Sequence, residues 1–111
     1  MNVYDKTYEL AKALKESPEA HDLKEARRQA EADADAKRML DDFRERQNGF
    51  QQKMMSGEEP TPEEIDNLNK LYEVLSLNPV ISHYFEAERR FAVVFEDVNR
   101  IISDSLKTVL E

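Results

Sequence analysis

The two histidines are the clearest candidates for metal chemistry in this chain. His83 lies three residues before Glu86, and His21 lies four residues before Glu25. Helical bundles that hold two iron ions use the opposite order, with glutamate three residues before histidine, and they need two such pairs. Because neither histidine fits that pattern, we interpret both as surface or interface residues. We therefore expect no metal site and no other cofactor.

Acidic side chains offer a second possible chemistry, because the chain has 24 Asp and Glu residues. Glu31, Asp33 and Asp35 cluster beside a predicted helix break. Helix capping and a solvated face account for such a cluster, whereas a catalytic carboxylate would need a pocket that raises its pKa. The sequence has no glycine-rich phosphate loop, no GxSxG and no HExxH motif. We expect no catalytic residues, and a small carboxylate-based hydrolase remains a remote alternative.

Basic residues alternate with acidic ones, as in the stretch from Asp41 to Arg46, Asp-Asp-Phe-Arg-Glu-Arg. This alternation is typical of an exposed, ion-paired helix face. The net charge of −8 disfavours direct binding to nucleic acid, which depends on neutralising phosphates, and also disfavours anionic membranes. We expect neither partner. A contact face formed by Arg44, Arg46 and Lys53 remains an alternative for an adaptor in RNA processing.

Composition narrows the class of protein further. The 111 residues include no cysteine, only 2 Gly and only 4 Pro. Without cysteine the chain has no disulfide, no catalytic thiol and no thiolate metal site, and the scarcity of chain breakers favours helices. The N-terminal residues lack the layout of a signal peptide, and no apolar run approaches the length of about 18 residues that a membrane span needs. We expect a single soluble, cytoplasmic domain.

Apolar spacing and capping signals predict five helices, over about residues 2–16, 18–32, 35–56, 62–77 and 79–110. Three of these begin with a capping residue followed by proline, at Ser17-Pro18, Thr61-Pro62 and Asn78-Pro79, which suits the first turn of a helix. A loop at Gly57–Pro62 folds helix three back onto helices four and five. The prediction is an all-α fold, an elongated antiparallel helical bundle or hairpin with a long C-terminal helix. In it, helix one folds against the far end of helix five.

Helix five has more apolar surface than one neighbouring helix can cover. The run from Phe91 to Phe95 is apolar throughout, and successive residues on a helix point in directions about 100° apart. Such a run needs cover on all sides, which a short chain does not provide. We therefore expect the protein to associate with itself, as a homodimer or a higher oligomer. The residues predicted to form the oligomer interface are Phe91, Val94, Phe95, Val98 and Ile102.

Three polar residues interrupt the apolar seams. Gln47 lies in the seam of helix three, and Glu88 and Asn99 lie within the apolar arc of helix five. Single buried polar residues can set the register or the oligomeric state of packed helices. The alternative is that these three lie at the edges of the seams and contact water. The sequence leaves both interpretations open.

Several short motifs, taken together and in order, resemble a known family. They are Tyr4-Asp5, Ala36-Lys37-Arg38-Met39 with Phe43 and Gln47, Gln51-Gln52-Lys53, Gly57-Glu58-Glu59, Asn78-Pro79, Glu86-Ala87-Glu88-Arg89 and Val98-Asn99. With them the chain resembles the YheA/YmcA/YlbF family of small helical bacterial proteins, and most closely its YheA-like branch. None of these motifs is catalytic.

The resemblance implies an all-α antiparallel fold, self-association and a cytoplasmic bacterial protein with no established enzymatic activity. Relatives in the YmcA and YlbF branches act in a complex that modulates an RNA-cleaving enzyme. A role as adaptor or modulator of a ribonuclease complex is therefore the alternative function. Iron–sulfur binding in that complex depends on cysteines, so it does not carry over to this chain. The implied partners are a second copy of the chain and other bacterial regulatory proteins.

Overall fold

Helices form the regular structure of this protein throughout the part of the chain that the computed structural model describes, residues 2–110. The helices are α1 (Val3–Lys15), α2 (Pro18–Ala32), α3 (Ala34–Met55), α4 (Pro62–Ser76), α5 (Pro79–Ser105) and α6 (Lys107–Leu110). The all-α fold predicted from the sequence is confirmed.

Polar side chains fix where the helices begin. Capping side chains at the starts of α2, α3, α4 and α5 each accept a hydrogen bond from a backbone N–H in the first turn, and they are Ser17, Asp33, Thr61 and Asn78. Oδ1 of Asp33, for example, accepts from the N–H of Ala36 at 3.1 Å. After α3 the chain turns at Gly57, whose φ of 86° lies in the left-handed region that favours glycine.

The last helix is interrupted near its end, so the prediction of one helix to residue 110 is wrong. α5 ends at Ser105, and the short helix α6 begins after Leu106. The hydroxyl of Ser105 donates to the carbonyl of Ile101 at 2.7 Å, a local bond of the kind that bends helices. The N–H of Leu106 still reaches the carbonyl of Ile102 at 3.1 Å. Leu106 therefore continues the pattern of α5.

The core lies where α2 and α3 meet the end of α4 and the first half of α5. Its buried members are Ala26, Ala30, Ala36, Leu40, Phe43, Leu75, Ile81, Tyr84 and Ala87. α2 lies along α5 and makes the most extensive helix contact in the fold. Alanines on the facing surfaces allow the two backbones to approach closely. Leu75 and Ile81, on either side of the α4–α5 turn, are fully buried, so they anchor that turn.

α3 and α4 form an antiparallel hairpin around the Gly57 turn. Near the turn, Nζ of Lys53 lies 2.7 Å from Oε1 of Glu64. Further from the turn, the rings of Phe43 and Tyr72 lie 6.0 Å apart.

α1 lies outside the core. It has no buried residue, and α2 is the only helix it contacts. The prediction that helix one reaches the far end of helix five is therefore wrong, because α2 already lies alongside α5. The side chains of Val3, Tyr4 and Tyr8 are all about three-quarters exposed.

The resulting shape is thin and extended. The radius of gyration is 18.0 Å, against about 13 Å for a compact domain of this length. The chain exposes 8852 Å², roughly 2,500 Å² more than a folded monomer of 13.0 kDa usually does. Among the described residues, none of the helices has an apolar stretch of the length that a membrane crossing requires.

Truncation of the core at the α4–α5 turn should be costly. We expect Leu75→Ala to lower the free energy of unfolding by about 2–5 kcal/mol, because it removes a fully buried side chain and leaves a cavity. The matched control is Leu77→Ala, at a leucine that is 82% exposed, and its effect should stay within about 0.5 kcal/mol. Urea unfolding followed by circular dichroism, at one fixed protein concentration, measures both. Equal effects of the two substitutions would contradict the core described here.

Candidate functional site

An exposed apolar seam runs along the second half of α5 and ends at Leu106, the residue that follows the helix. We call it the α5 seam, and it consists of Ala92, Phe95, Asn99, Ile102 and Leu106. These residues recur at alternating spacings of three and four, so they share one side of the helix. Phe95 is 51% exposed, Ile102 is 44% exposed and Leu106 is 43% exposed. Four apolar side chains around one asparagine thus lie uncovered by the rest of the described chain.

The other predicted interface residues belong to a neighbouring stripe of α5. Phe91, Val94 and Val98 are half-buried, and they continue along the helix the stripe that begins with the buried Tyr84 and Ala87. The chain itself therefore partly covers these three. Of the five residues predicted to form an oligomer interface, Phe95 and Ile102 are the ones that the fold leaves exposed.

The α5 seam leads into a cleft of about 350 Å³ between α3, α4 and α5. Its lining residues are Phe43, Arg44, Gln47, Tyr72, Phe85, Glu88, Arg89 and Ala92. The rings of Tyr72 and Phe85 stack in the cleft, 5.0 Å apart and 7° from parallel. Ala92 belongs to both the cleft and the seam, so the two form one continuous apolar surface. We call this cleft the aromatic cleft.

Arg44 is the main polar group at the edge of the aromatic cleft. Its Nη2 donates a hydrogen bond to the hydroxyl of Tyr84, at 2.5 Å, and lies 3.7 Å from Oε1 of Glu88. Its guanidinium carbon lies 5.2 Å from the centre of the Tyr84 ring. The hydrogen bond that Arg44 donates to Tyr84 is the main reason why the pKa of Arg44 is raised, and the negative charge of Glu88 adds to it. Arg44 therefore joins α3 to α5 beside the cleft.

The structure brings together two of the three polar residues singled out in the sequence. Gln47 and Glu88 line the same aromatic cleft, and Asn99 lies separately in the α5 seam. Gln47 and Asn99 are exposed and Glu88 is half-exposed. All three contact solvent in the single chain, so only a partner could bury them. Periodicity placed each residue in a seam, but it could not show which seams the fold leaves open.

The side chains considered for metal or acid chemistry have structural roles or lie exposed. Asp33 caps α3, and Asp35 pairs with Arg38 at 2.6 Å. His21 and His83 are both exposed. Within residues 2–110 there is no group of three or more His, Asp or Glu that could hold a metal ion.

The three residues of the alternative RNA-processing face each form an ion pair within the chain. Arg44 contacts Glu88 as described above, and Arg46 lies 3.4 Å from Asp42. Lys53 pairs with Glu64 across the α3–α4 hairpin. Partial neutralisation by these acids weakens the case for a phosphate-binding strip.

Known proteins are similar to this chain in sequence and in fold. A family model described as "Control of competence regulator ComK, YlbF/YmcA" matches residues 3–107. A UPF0342 protein from Caldicellulosiruptor bescii is 43% identical over 106 residues, covering 96% of this chain and 89% of the relative. A UPF0342 protein from Alkalihalophilus pseudofirmus is 42% identical over 108 residues, covering 97% of this chain and 92% of the relative.

A solved structure from Bacillus stearothermophilus, described as a protein of unknown function (DUF964), is similar in fold. It has a TM-score of 0.89 and 23% identity, and the match covers 95% of this chain and 92% of the other. At that identity, the likeness concerns the fold alone.

The Lys53–Glu64 pair should give the hairpin a pH-dependent stability. The hydrogen bond between the two side chains is the main cause that lowers the pKa of Glu64 and raises the pKa of Lys53. Stabilisation through Glu64 is therefore present above its ordinary pKa of 4.5 and is lost as the pH falls through its lowered value. Stabilisation through Lys53 is present below its ordinary pKa of 10.5 and is lost as the pH rises through its raised value.

We expect Glu64→Gln to lower the urea midpoint slightly near neutral pH, because the pair is exposed to solvent and exposed pairs stabilise weakly. The difference from the parent chain should shrink as the pH falls below the pKa of Glu64, since protonated Glu64 in the parent and glutamine in the variant are then both uncharged. Glu63→Gln, next to it and exposed, is the control. A difference that keeps its size in acid would contradict this role for the pair.

Proposed function

This chain belongs to the YlbF/YmcA family, as its motifs predicted, and from that membership we propose that it is a non-enzymatic regulatory protein. In this proposal it associates with itself through the second half of α5, and it acts by binding other proteins.

The observation that carries the proposal is the exposed α5 seam. Full burial of an exposed large apolar side chain stabilises a complex by about 1.5–3 kcal/mol, and Phe95, Ile102 and Leu106, each roughly half exposed, lie on one helix face where part of that gain is available. Exposed patches of this kind mark interaction sites. Two copies of the chain carry the same seam, so each supplies a matching apolar surface to the other.

The exposed area of the chain supports the same proposal. A specific interface of standard size buries about 800 Å² on each partner. The chain exposes roughly 2,500 Å² more than a folded monomer of its mass. That excess is sufficient for self-association and for a further contact with another protein.

Two observations support a regulatory, non-enzymatic role. The description of the matching family model names control of a competence regulator, which is a regulatory role. Of the carboxylates that were candidates for catalysis, Asp33 caps α3 and Asp35 pairs with Arg38. Both observations favour a protein that acts through its surface.

A charge placed in the seam should prevent self-association. We expect Phe95→Glu to reduce the mass in solution to that of one chain, because association would bury the new carboxylate among apolar side chains. Phe95 is 51% exposed, so the helical content of the chain should stay unchanged. Size-exclusion chromatography with light scattering measures the mass, and circular dichroism measures the helical content.

The matched control is Val93→Glu. Val93 is similarly exposed, at 54%, and lies on the same helix, but outside the seam. We expect this variant to keep the mass of the parent chain. If Phe95→Glu has the same mass as the parent and is fully helical, the proposed interface is wrong.

A further inference from the structure

We propose that two copies of the chain pair through their α5 seams in antiparallel orientation, with a two-fold axis close to Asn99. This inference rests on the self-association proposed above, and it adds the identity and orientation of the partner surface. In a two-fold dimer, if residue i of one copy contacts residue j of the other, then j also contacts i. When the two helices run antiparallel, the order of residues along the seam must therefore match its own reverse.

The α5 seam has this property to within one residue, with Asn99 at its centre. Ala92 lies seven residues before Asn99 and Leu106 lies seven residues after it. Phe95 lies four residues before Asn99 and Ile102 lies three residues after it. An antiparallel pair thus brings Ala92 opposite the partner's Leu106, and Phe95 opposite the partner's Ile102. Spacings of three and four are those of helices that pack along a continuous seam.

Side-chain volumes favour the antiparallel orientation. Opposite Ala92, the partner's Leu106 fills the space that the small alanine leaves at the mouth of the aromatic cleft. A parallel pair would instead place two phenylalanines opposite each other at Phe95 and two alanines opposite each other at Ala92. The space at the two phenylalanines would be overfilled and the space at the two alanines would be nearly empty, whereas protein interfaces pack at the density of interiors.

Charge also favours the antiparallel orientation. Glu88 and Arg89 lie just before the seam, on the same helix. In a parallel pair each would lie beside its own copy, and like charges that face each other across an interface are unfavourable. In an antiparallel pair centred on Asn99, the two Glu88 residues would lie about 33 Å apart along the helix axes. Each Glu88 would then keep Arg44 of its own chain as its main partner.

Asn99 acquires a role in this arrangement. Its side-chain amide has both a donor and an acceptor, so two Asn99 residues that meet at a two-fold axis can hydrogen-bond to each other. A shifted register would place this amide against an apolar side chain without a partner, which is costly. A single polar residue in an apolar seam would thus fix the register of the pair.

Because the chain has no cysteine, single-cysteine variants test the orientation directly. We expect Asn99→Cys to form a disulfide-linked dimer under mild oxidation, since residues at the axis come within the 4.4–6.8 Å between Cα atoms that a disulfide spans. Ala92→Cys alone should stay unlinked, because its two copies would be about 21 Å apart. An equal mixture of Ala92→Cys with an affinity-tagged Leu106→Cys should give a linked heterodimer. Asp104→Cys, on the opposite side of α5, is the control that measures how much linked dimer forms by chance collisions.

Non-reducing gel electrophoresis reports the links, and light scattering of the parent chain reports its mass. Linking by Asn99→Cys and by the mixture, without linking by Ala92→Cys alone, supports the antiparallel pair. Efficient linking by Ala92→Cys alone would show a parallel pair and overturn the inference. The parent chain could instead have the mass of a dimer while its seam variants link no better than Asp104→Cys. That result would also overturn the antiparallel pair, but the proposed self-association would stand. A monomeric parent chain would remove both proposals.

Discussion

The contact between α2 and the first half of α5 is the interaction on which the rest of the structure depends. Ala26 and Ala30 of α2 are buried together with Tyr84 and Ala87 of α5. Small side chains let the helices approach closely, but they contribute little apolar area for each residue buried. The core is therefore narrow, and α3 and α4 complete it from one side only. No second layer of helices covers the other side of α5 within the described chain.

The narrow core explains why the exposed surface is concentrated where it is. Beyond Val98, every described residue of α5 is exposed. Apolar side chains continue there, up to Leu106. The same helix is thus a core element in its first half and a surface element in its second half. The proposed self-association follows from this change of environment along one continuous helix.

The sequence predicted the local structure well, because local signals determine it. Prolines after Ser17, Thr61 and Asn78 marked three helix starts, and the all-α fold followed from helical periodicity and few chain breakers. Tertiary contacts were harder to predict. Helix α2 has a weak apolar pattern, mostly of alanine, and so the sequence did not indicate that it would be the main neighbour of α5. In the site, spacing identified Phe95 and Ile102, but only the fold shows that Phe91 is half-covered.

α1 illustrates a different consequence of the same architecture. An isolated helix of 13 residues is marginally stable in water, and this one touches only α2. Its backbone amides should therefore exchange with deuterium through local opening, at a much lower free energy than those around Leu75 and Ile81. The protein would then have a graded stability, with an N-terminal segment that opens and closes independently while the centre stays folded.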